Sequence, residues 1–207
     1  MQPSTALYQL KIMPKEFLDN NFVMIAGRAV SGDAQSYIGV HPAFDPTEKL
    51  ASGAASEYFA IDANGPNMPK AHAFKAHNVR MIRSSEELDF GAIEGYALGS
   101  TGSDYMITGQ LSGCAFVVLG SGASLRVAHI QPGGKRGTGA DLKQTLEDSG
   151  RFADSKDPFT KVFGSGDYQA YAHVMGVRRG SGWEIYGQEY IGMPGPEASI
   201  IKVTRIA

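Results

Sequence analysis

Residues 111–129 read LSGCAFVVLGSGASLRVAH, and this stretch decides the predicted fold. Its two apolar segments, near 114–119 and 125–130, consist mostly of residue types that favour strands. The Gly-Ser-Gly sequence between them is typical of the turn in a β-hairpin. We therefore expect two antiparallel strands joined by a two-residue turn at Ser121-Gly122.

The predicted turn sets which side chains meet across the hairpin. With two residues in the turn, Phe116 faces Val127 and Cys114 faces His129. Directly opposite residues point to the same face of a sheet, with Cβ atoms about 4.5–5.5 Å apart. The sequence thus predicts a Cys–His pair at the end of an apolar face. This pairing depends on the register, because a one-residue slip turns every side chain of a strand to the other face.

Short segments of strand character, separated by Gly, Pro, Ser and Asn, dominate the rest of the chain. We predict strands near 6–13, 22–30, 36–41, 57–61, 72–82, 93–98, 104–108, 114–119, 125–130, 168–178, 183–191 and 199–206. Helix-start signals occur at 45–48 and 84–87, and a helix is predicted over 139–149, where Leu142 and Leu146 share one face. The predicted fold class is α+β and β-dominated, with a mixed β-sandwich core flanked by a few short helices.

Length and charge narrow the possible functions. The 207 residues are about the size of one domain, so we expect a single domain over 1–207. Lys and Arg number 19 and Asp and Glu 21, a balance that provides no electrostatic footprint for nucleic acid. No apolar run reaches the roughly 18 residues that span a bilayer. We therefore expect a protein that neither binds nucleic acid nor inserts into a membrane. We also expect a monomer.

Cys114 is the only cysteine of the chain, so it cannot form an intramolecular disulfide. A free thiol is mostly protonated at neutral pH, and a neighbouring imidazole such as that of His129 can hold it as a thiolate–imidazolium pair. Gly113 permits a tight bend, so backbone N–H groups at Ser112 and Gly113 can point toward a developing oxyanion. The alternative is a buried structural cysteine beside a core histidine.

The residues Leu111-Ser112-Gly113-Cys114, followed fifteen positions later by His129, resemble the catalytic signature of the cysteine-dependent glutamine deamidases. That family includes cytotoxic necrotizing factor, Burkholderia lethal factor and the bacterial chemoreceptor deamidase. Several members carry a threonine six positions before the cysteine, and Thr108 lies there in this chain. The resemblance covers about residues 105–131. Within the family, this chain is most similar to Burkholderia lethal factor.

The resemblance implies a Cys–His site on a β-sandwich, with no cofactor and no metal. Cys114 would attack the carboxamide of a glutamine on a protein substrate, and His129 would act as general acid and base. Thr108 would orient His129, through either its hydroxyl or its backbone carbonyl. Backbone groups near Ser112 and Gly113 would hold the oxyanion.

Three functional hypotheses follow. The first is a bacterial toxin or effector that deamidates a host protein, of the translation initiation helicase or the Rho-type GTPase class. The second is an endogenous deamidase or transglutaminase of the chemoreceptor-deamidase type. The third is a non-catalytic β-sandwich binding module. Because residues 1–10 lack a basic segment followed by an apolar one, a toxin would be secreted without a recognisable signal peptide and act in the host cytoplasm. An endogenous enzyme would be cytoplasmic.

Other candidate residues are less informative. His72 and His77 are predicted to lie on opposite faces of a strand, as surface or loop histidines rather than metal ligands. His173 is predicted to be a hydrogen-bonded core residue, and it is the alternative base if the hairpin register is wrong. Trp183 and the tyrosines are expected to pack within the sandwich, and the alternative is that one or two of them line a substrate groove; the tyrosines are Tyr168, Tyr171, Tyr186 and Tyr190.

Two further patterns are weak. The glycine-rich stretch 133–139 lacks the spacing of a phosphate-binding loop, and Asp141 would repel an anion, so a mobile loop near the site is expected instead. Ser112 lacks the sequence pattern of a serine nucleophile.

Overall fold

A computed structural model describes residues 1–26, 32–40, 57–62, 73–83, 95–133, 139–148, 161–192 and 198–207. Within these residues the chain forms three α-helices, α1 (Pro3–Ile12), α2 (Pro14–Asn20) and α3 (Gly139–Asp148). The described strands are β1 (Asn21–Ala26), β2 (Gly32–Val40), β3 (Glu57–Asp62), β4 (Ala73–Val79), β5 (Met81–Arg83), β6 (Tyr96–Ala97), β7 (Tyr105–Thr108), β8 (Ala115–Leu119), β9 (Arg126–Gln131), β10 (Lys161–Phe163), β11 (Tyr171–Arg179), β12 (Gly182–Ile191) and β13 (Ser199–Arg205).

The strands form two sheets. The large sheet has the order β1-β3-β2-β4-β7-β11-β12-β13, and the small sheet has the order β10-β8-β9-β5 with β6 also pairing with β9. Both sheets are mixed, because the pairs β1/β3, β4/β7 and β5/β9 are parallel and the other described pairs are antiparallel.

The alternation of side chains along the strands gives each sheet two buried faces. On β11, Ala172 and Val174 point into the core between the sheets, whereas Met175 and Val177 point to the opposite face of the large sheet. Helices α1 and α2 cover that opposite face through Ala6, Leu10, Phe17 and Leu18. Helix α3 covers the outer face of the small sheet through Leu142 and Leu146. The fold class is therefore confirmed: a β-dominated α+β sandwich flanked by a few helices.

The buried side-chain amide of Gln188 ties the segment that joins α2 to β1 to strand β12 of the large sheet. The side chain of Gln188 on β12 accepts a hydrogen bond from the Val23 backbone N–H at 3.0 Å. Its Nε2 donates to the carbonyl oxygens of Leu18 and Asn21 at 2.6 and 2.7 Å. Gln188 is fully buried, so these three backbone groups have no access to water at that point and depend on this side chain.

The prediction of a strand over 6–13 is wrong, because residues 6–12 belong to helix α1 and Met13 follows its end. The apolar positions Ala6 and Leu10 are four residues apart and both buried, which is helical spacing. Pro3 begins α1 and Pro14 begins α2, each at a helix start where the missing N–H has no cost. Helix α2 was not predicted.

The predicted strand over 72–82 is two strands in two different sheets. Its first part, β4, belongs to the large sheet, and β5 belongs to the small sheet after Arg80. Within the described residues the other predicted strands are confirmed with shifted ends, and positions 27–30, 41, 72 and 93–94 of the predicted strands lie outside these residues. The short strand β10 was not predicted. The helix predicted over 139–149 is confirmed as α3. The helix starts at 45–48 and 84–87 lie outside the described residues.

The hairpin exists, but its register differs from the prediction. Strands β8 and β9 pair with Phe116 opposite His129 and Val118 opposite Val127. The connection is longer than two residues because a 3₁₀ turn at Gly122–Ser124 lies within it. The longer connection shifts the pairing by two residues, so every side chain keeps its predicted face.

Replacing Gln188 with Leu tests the buried amide. We expect Gln188→Leu to lower the free energy of unfolding by about 3 kcal/mol or more, since three buried backbone groups lose their partner. Urea unfolding measures the change. Gln144→Leu is the control, because Gln144 is exposed and its side-chain amide donates to Asp148 of its own helix; it should cost less than about 0.5 kcal/mol. Equal effects of the two variants would contradict the assigned role of Gln188.

Candidate functional site

The two sheets meet where the chain passes from β4 to β5. Val79 ends β4 and pairs with Thr108 of the large sheet. Two residues later, Met81 pairs with His129 of the small sheet. This crossing brings Thr108 and His129 together, although they belong to different sheets and are 21 residues apart in sequence.

The Thr108 hydroxyl contacts both sheets. It donates a hydrogen bond to the Val79 carbonyl oxygen at 2.8 Å, and its oxygen lies 2.8 Å from Nδ1 of His129. A hydroxyl has one proton to donate. Since Val79 takes that proton, Thr108 accepts a hydrogen bond from Nδ1–H of His129. The contact predicted from the sequence is thus present, through the hydroxyl.

This hydrogen bond selects the tautomer of His129. With the proton on Nδ1, the other ring nitrogen carries a lone pair. Nε2 is buried and has no hydrogen-bond partner among the described residues. His129 is 1% exposed, and burial lowers its pKa to about 4. The ring is therefore neutral at physiological pH, with Nε2 able to accept a proton.

The segment before β8 carries Cys114 from the large sheet to the small one. Leu111 is held on β11 by two backbone hydrogen bonds with Ala172, at 2.8 and 3.1 Å. The chain then bends at Gly113, whose φ of +82° is the left-handed conformation that favours glycine. The predicted bend is thus present. Cys114 follows it and lies in the core between the sheets, 4% exposed.

Two residues outside the predicted Cys–His motif, whose contacts here were not predicted, hold this segment in place. The hydroxyl of Tyr168 donates a hydrogen bond to the Cys114 carbonyl oxygen at 2.8 Å. Gly139, the first residue of α3, touches Gly113: a Cβ at Gly139 would lie 2.4 Å from the Gly113 oxygen and 2.6 Å from its Cα. Their distance along the sequence, 54 residues for Tyr168, explains why no local pattern revealed them.

Cys114 and His129 share a face, but they are not directly opposite. In the observed register Phe116 faces His129, and Cys114 lies two positions before Phe116, so it is the diagonal neighbour of His129. Diagonal neighbours in an antiparallel pair are about 7–8 Å apart. The prediction that Cys114 and His129 lie directly opposite each other is therefore wrong, because the turn is longer than the two residues predicted.

The charge state also differs from the expected thiolate–imidazolium pair. Burial raises the pKa of the Cys114 thiol, while a hydrogen bond from the Ser112 backbone acts in the opposite direction and is the smaller effect. Burial lowers the pKa of His129 to about 4. Without substrate the thiol and the imidazole are both neutral. Both shifts disfavour transfer of the thiol proton to the imidazole, and Nε2 has no hydrogen-bond partner among the described residues, so the structure holds a neutral thiol and a neutral ring rather than an ion pair.

His173 does not belong to this site. It faces away from the core between the sheets, because it alternates with Ala172 and Val174 along β11. Its ring stacks on Tyr190 with centroids 5.1 Å apart and meets the edge of Phe22. Neither ring nitrogen has a hydrogen-bond partner among the described residues. It is a core residue as predicted, but it is not hydrogen-bonded there, and its face of the sheet excludes it as the alternative base.

The remaining predicted residues pack in the core or lie outside the described residues. His77 is buried rather than on the surface, because β4 is a central strand, and its Nδ1 lies 2.9 Å from the Tyr96 hydroxyl. His72 lies outside the described residues, as does most of the glycine-rich stretch 133–139. The packing role expected for Trp183 and the tyrosines is confirmed for Trp183, Tyr168, Tyr186 and Tyr190, which are all buried, and Tyr171 is half-buried against Tyr190.

The described part of the chain contains neither a metal-binding cluster nor a membrane-spanning helix. There, no group of three or more His, Cys, Asp or Glu side chains is arranged to hold a metal ion. Among the same residues, no helix has the length and apolar character needed to cross a membrane.

The buried histidines make stability depend on pH. Burial lowers the pKa of His173 to about 3, against about 6.5 in an unfolded chain. Between these values the unfolded state binds more protons, so stability is full above pH 6.5 and falls with decreasing pH, by up to about 1.4 kcal/mol per unit for each such histidine. We expect His173→Phe to reduce the slope of unfolding free energy between pH 6 and 5 by about this amount.

The measurement is urea unfolding of both proteins at several pH values. Phe preserves the stacking on Tyr190 and removes two unpaired ring nitrogens, so stability at pH 7.5 should be equal or higher. An unchanged slope in the variant would show that His173 is protonated in the folded state, contrary to its surroundings.

Comparison with known proteins adds no relative. No protein-family model matches the chain, and no characterised protein matches it either. The resemblance to the glutamine deamidases therefore rests on the residues of the site: Cys114, His129 and Thr108 at their spacing, together with the contacts described above.

Proposed function

We propose that this protein is a cysteine-dependent protein-glutamine deamidase. The observation that carries the proposal is the hydrogen bond between Thr108 and His129. It leaves the lone pair of Nε2 without a partner among the described residues, on the same face of the small sheet as the thiol of Cys114. A nucleophile, a base and a group that orients the base are the components of a catalytic triad.

In the first half of the reaction, the Cys114 sulfur attacks the side-chain carbonyl carbon of a substrate glutamine. The thiol proton passes to Nε2 of His129, which makes the imidazole cationic. His129 then gives this proton to the amide nitrogen, the C–N bond breaks, and ammonia leaves behind a thioester. Backbone N–H groups near Ser112 and Gly113 hold the oxyanion of the tetrahedral intermediate.

In the second half, a water molecule hydrolyses the thioester. His129 removes a proton from the water as its oxygen attacks the thioester carbon. The C–S bond breaks, the sulfur regains the proton from His129, and the glutamine has become a glutamate. An amine in place of water would give a transglutaminase reaction at the same thioester.

The resemblance to toxins favours a host protein as the substrate, and we propose a secreted toxin or effector acting in the host cytoplasm. The substrate classes suggested by the family are a translation initiation helicase and a Rho-type GTPase. The endogenous alternative is an enzyme of the chemoreceptor-deamidase type. Chemotaxis genes beside the coding gene would favour that alternative, and secretion genes would favour the toxin.

One observation favours the non-catalytic binding module. Cys114 is almost fully buried and burial raises the pKa of its thiol, as in inert structural cysteines. Reaction with iodoacetamide separates the two functions. A structural thiol reacts slowly at neutral pH and at the same rate in His129→Ala, whereas a nucleophile loses reactivity when His129 is removed.

The decisive test is mass spectrometry of a eukaryotic cell lysate treated with the wild-type protein or with Cys114→Ser. We expect the wild type alone to add about one dalton at a specific glutamine, because hydrolysis replaces NH₂ by OH through a cysteine thioester. The serine variant is nearly isosteric and should keep its thermal stability. The same glutamine modified in both samples would contradict a cysteine mechanism.

Thr108 offers a second test with a matched control. Thr108→Val keeps the shape but removes the hydroxyl that holds the His129 tautomer, so deamidation should slow by about a hundredfold. Thr108→Ser keeps the hydroxyl and should retain most of the activity. The initial rate of mass gain at the lysate glutamine measures both. Equal rates for the valine and serine variants would exclude the orienting role of Thr108.

A further inference from the structure

We infer that Tyr168 is a positioning residue for the nucleophile: it holds the main chain of Cys114 in the geometry that the reaction needs. The inference rests on the deamidase function proposed above and adds a residue to it. Tyr168 follows β10 by five residues and lies outside the predicted motif. It reaches the site only through the fold.

The contact is specific and buried. The Tyr168 hydroxyl donates to the Cys114 carbonyl oxygen at 2.8 Å, and the side chain is 4% exposed. Its ring packs against Phe163 of β10, with centroids 5.7 Å apart. Burial and the neighbouring Cys114 both raise the pKa of the Tyr168 phenol, so the hydroxyl keeps its proton and remains a donor.

The turn that carries Tyr168 contacts helix α3, and α3 also touches the segment that carries Cys114. Helix α3, whose first residue Gly139 touches Gly113, extends a lysine toward the Tyr168 turn. Lys143 forms an ion pair with Asp167 at 3.3 Å. Asp167 in turn accepts a hydrogen bond from the Gly164 N–H at 2.9 Å. Gly113 and Cys114 are therefore held from two sides by elements that contact each other.

The hydrogen bond from Tyr168 restricts the conformation of the main chain at Cys114. Its carbonyl oxygen is occupied by Tyr168, so the peptide that joins Cys114 to Ala115 cannot rotate without breaking a buried hydrogen bond. The position of the sulfur relative to His129 depends on that peptide. Because the two side chains are diagonal rather than opposite neighbours, a small movement of the main chain decides whether the sulfur reaches Nε2.

The test compares two tyrosines that make the same kind of bond. Tyr168→Phe removes the hydroxyl that holds Cys114. Tyr105→Phe is the control, since the Tyr105 hydroxyl donates to the Leu7 carbonyl oxygen at 3.0 Å on the far face of the large sheet. Both variants lose one hydrogen bond to a backbone carbonyl, so their losses of thermal stability should be similar.

Two rates are measured for each variant. The first is the initial rate of deamidation at the lysate glutamine over a dilution series of the lysate, which separates kcat from KM. We expect Tyr168→Phe to lower kcat by about tenfold or more with KM unchanged, because misplaced reacting groups lose rate without losing substrate contacts. The second is alkylation of Cys114 by iodoacetamide, which should become about threefold faster as the segment opens locally. Tyr105→Phe should change neither rate.

The outcomes are distinguishable. Slower deamidation with faster alkylation in Tyr168→Phe alone supports the inference. Equal changes in both variants overturn it, because the tyrosine would then only stabilise the fold. If the wild type deamidates the glutamine and Tyr168→Phe has the same kcat, the positioning role is overturned and the proposed function stands. If the wild type modifies nothing in the lysate, faster alkylation in Tyr168→Phe alone still supports the anchoring of Cys114, while the deamidase proposal fails.

Discussion

The hydroxyl group of Thr108 joins the two sheets at the point where the chain crosses between them. It donates to the last carbonyl of β4 in the large sheet and accepts from the ring of His129 in the small sheet. Both bonds are buried, so neither partner has water as a substitute. The crossing after Val79, the tautomer of His129 and the position of its free nitrogen all depend on this one group.

Burial controls the chemistry of the site. A thiol and an imidazole in the core between two sheets are both kept neutral, because the charged forms lose their hydration. Both shifts oppose transfer of a proton from the sulfur to the ring, so the proposed reaction requires the substrate to change these surroundings when it binds. The large apolar core has a second consequence, since His173 on the opposite face of the large sheet is also held neutral. We therefore expect the fold to lose stability as the pH falls below about 6.5, independently of catalysis.

The nucleophile lies on an irregular segment between two regular strands, and distant parts of the chain hold it there. Leu111 is bound to β11, Gly113 is touched by the start of α3, and the Cys114 carbonyl is bound by Tyr168. Such support is common around functional groups, because a reacting atom must be placed to within a fraction of an ångström. In this protein the supporting groups lie on β11, at the start of α3 and in the segment between β10 and β11.

The sequence by itself determined the hairpin, the β-dominated class and the residues of the candidate site. Strand patterning is local, and the spacing of Thr108, Cys114 and His129 is a property of the chain alone. The prediction that Cys114 and His129 share a face holds because the observed register differs by two residues, which preserves the alternation. Strand patterning failed for residues 6–13, where a short amphipathic pattern fits either a strand or a helix.

Only the tertiary structure decided the register, the crossing between the sheets and the groups that hold the site. The register depends on the conformation of the 3₁₀ turn, and the division of 72–82 at Arg80 depends on which sheet each half joins. The charge states of Cys114 and His129 follow from how deeply the sheets bury them. The role of Tyr168 follows from packing between residues 54 positions apart, because hydrogen bonds that join distant segments leave no periodic trace in the sequence.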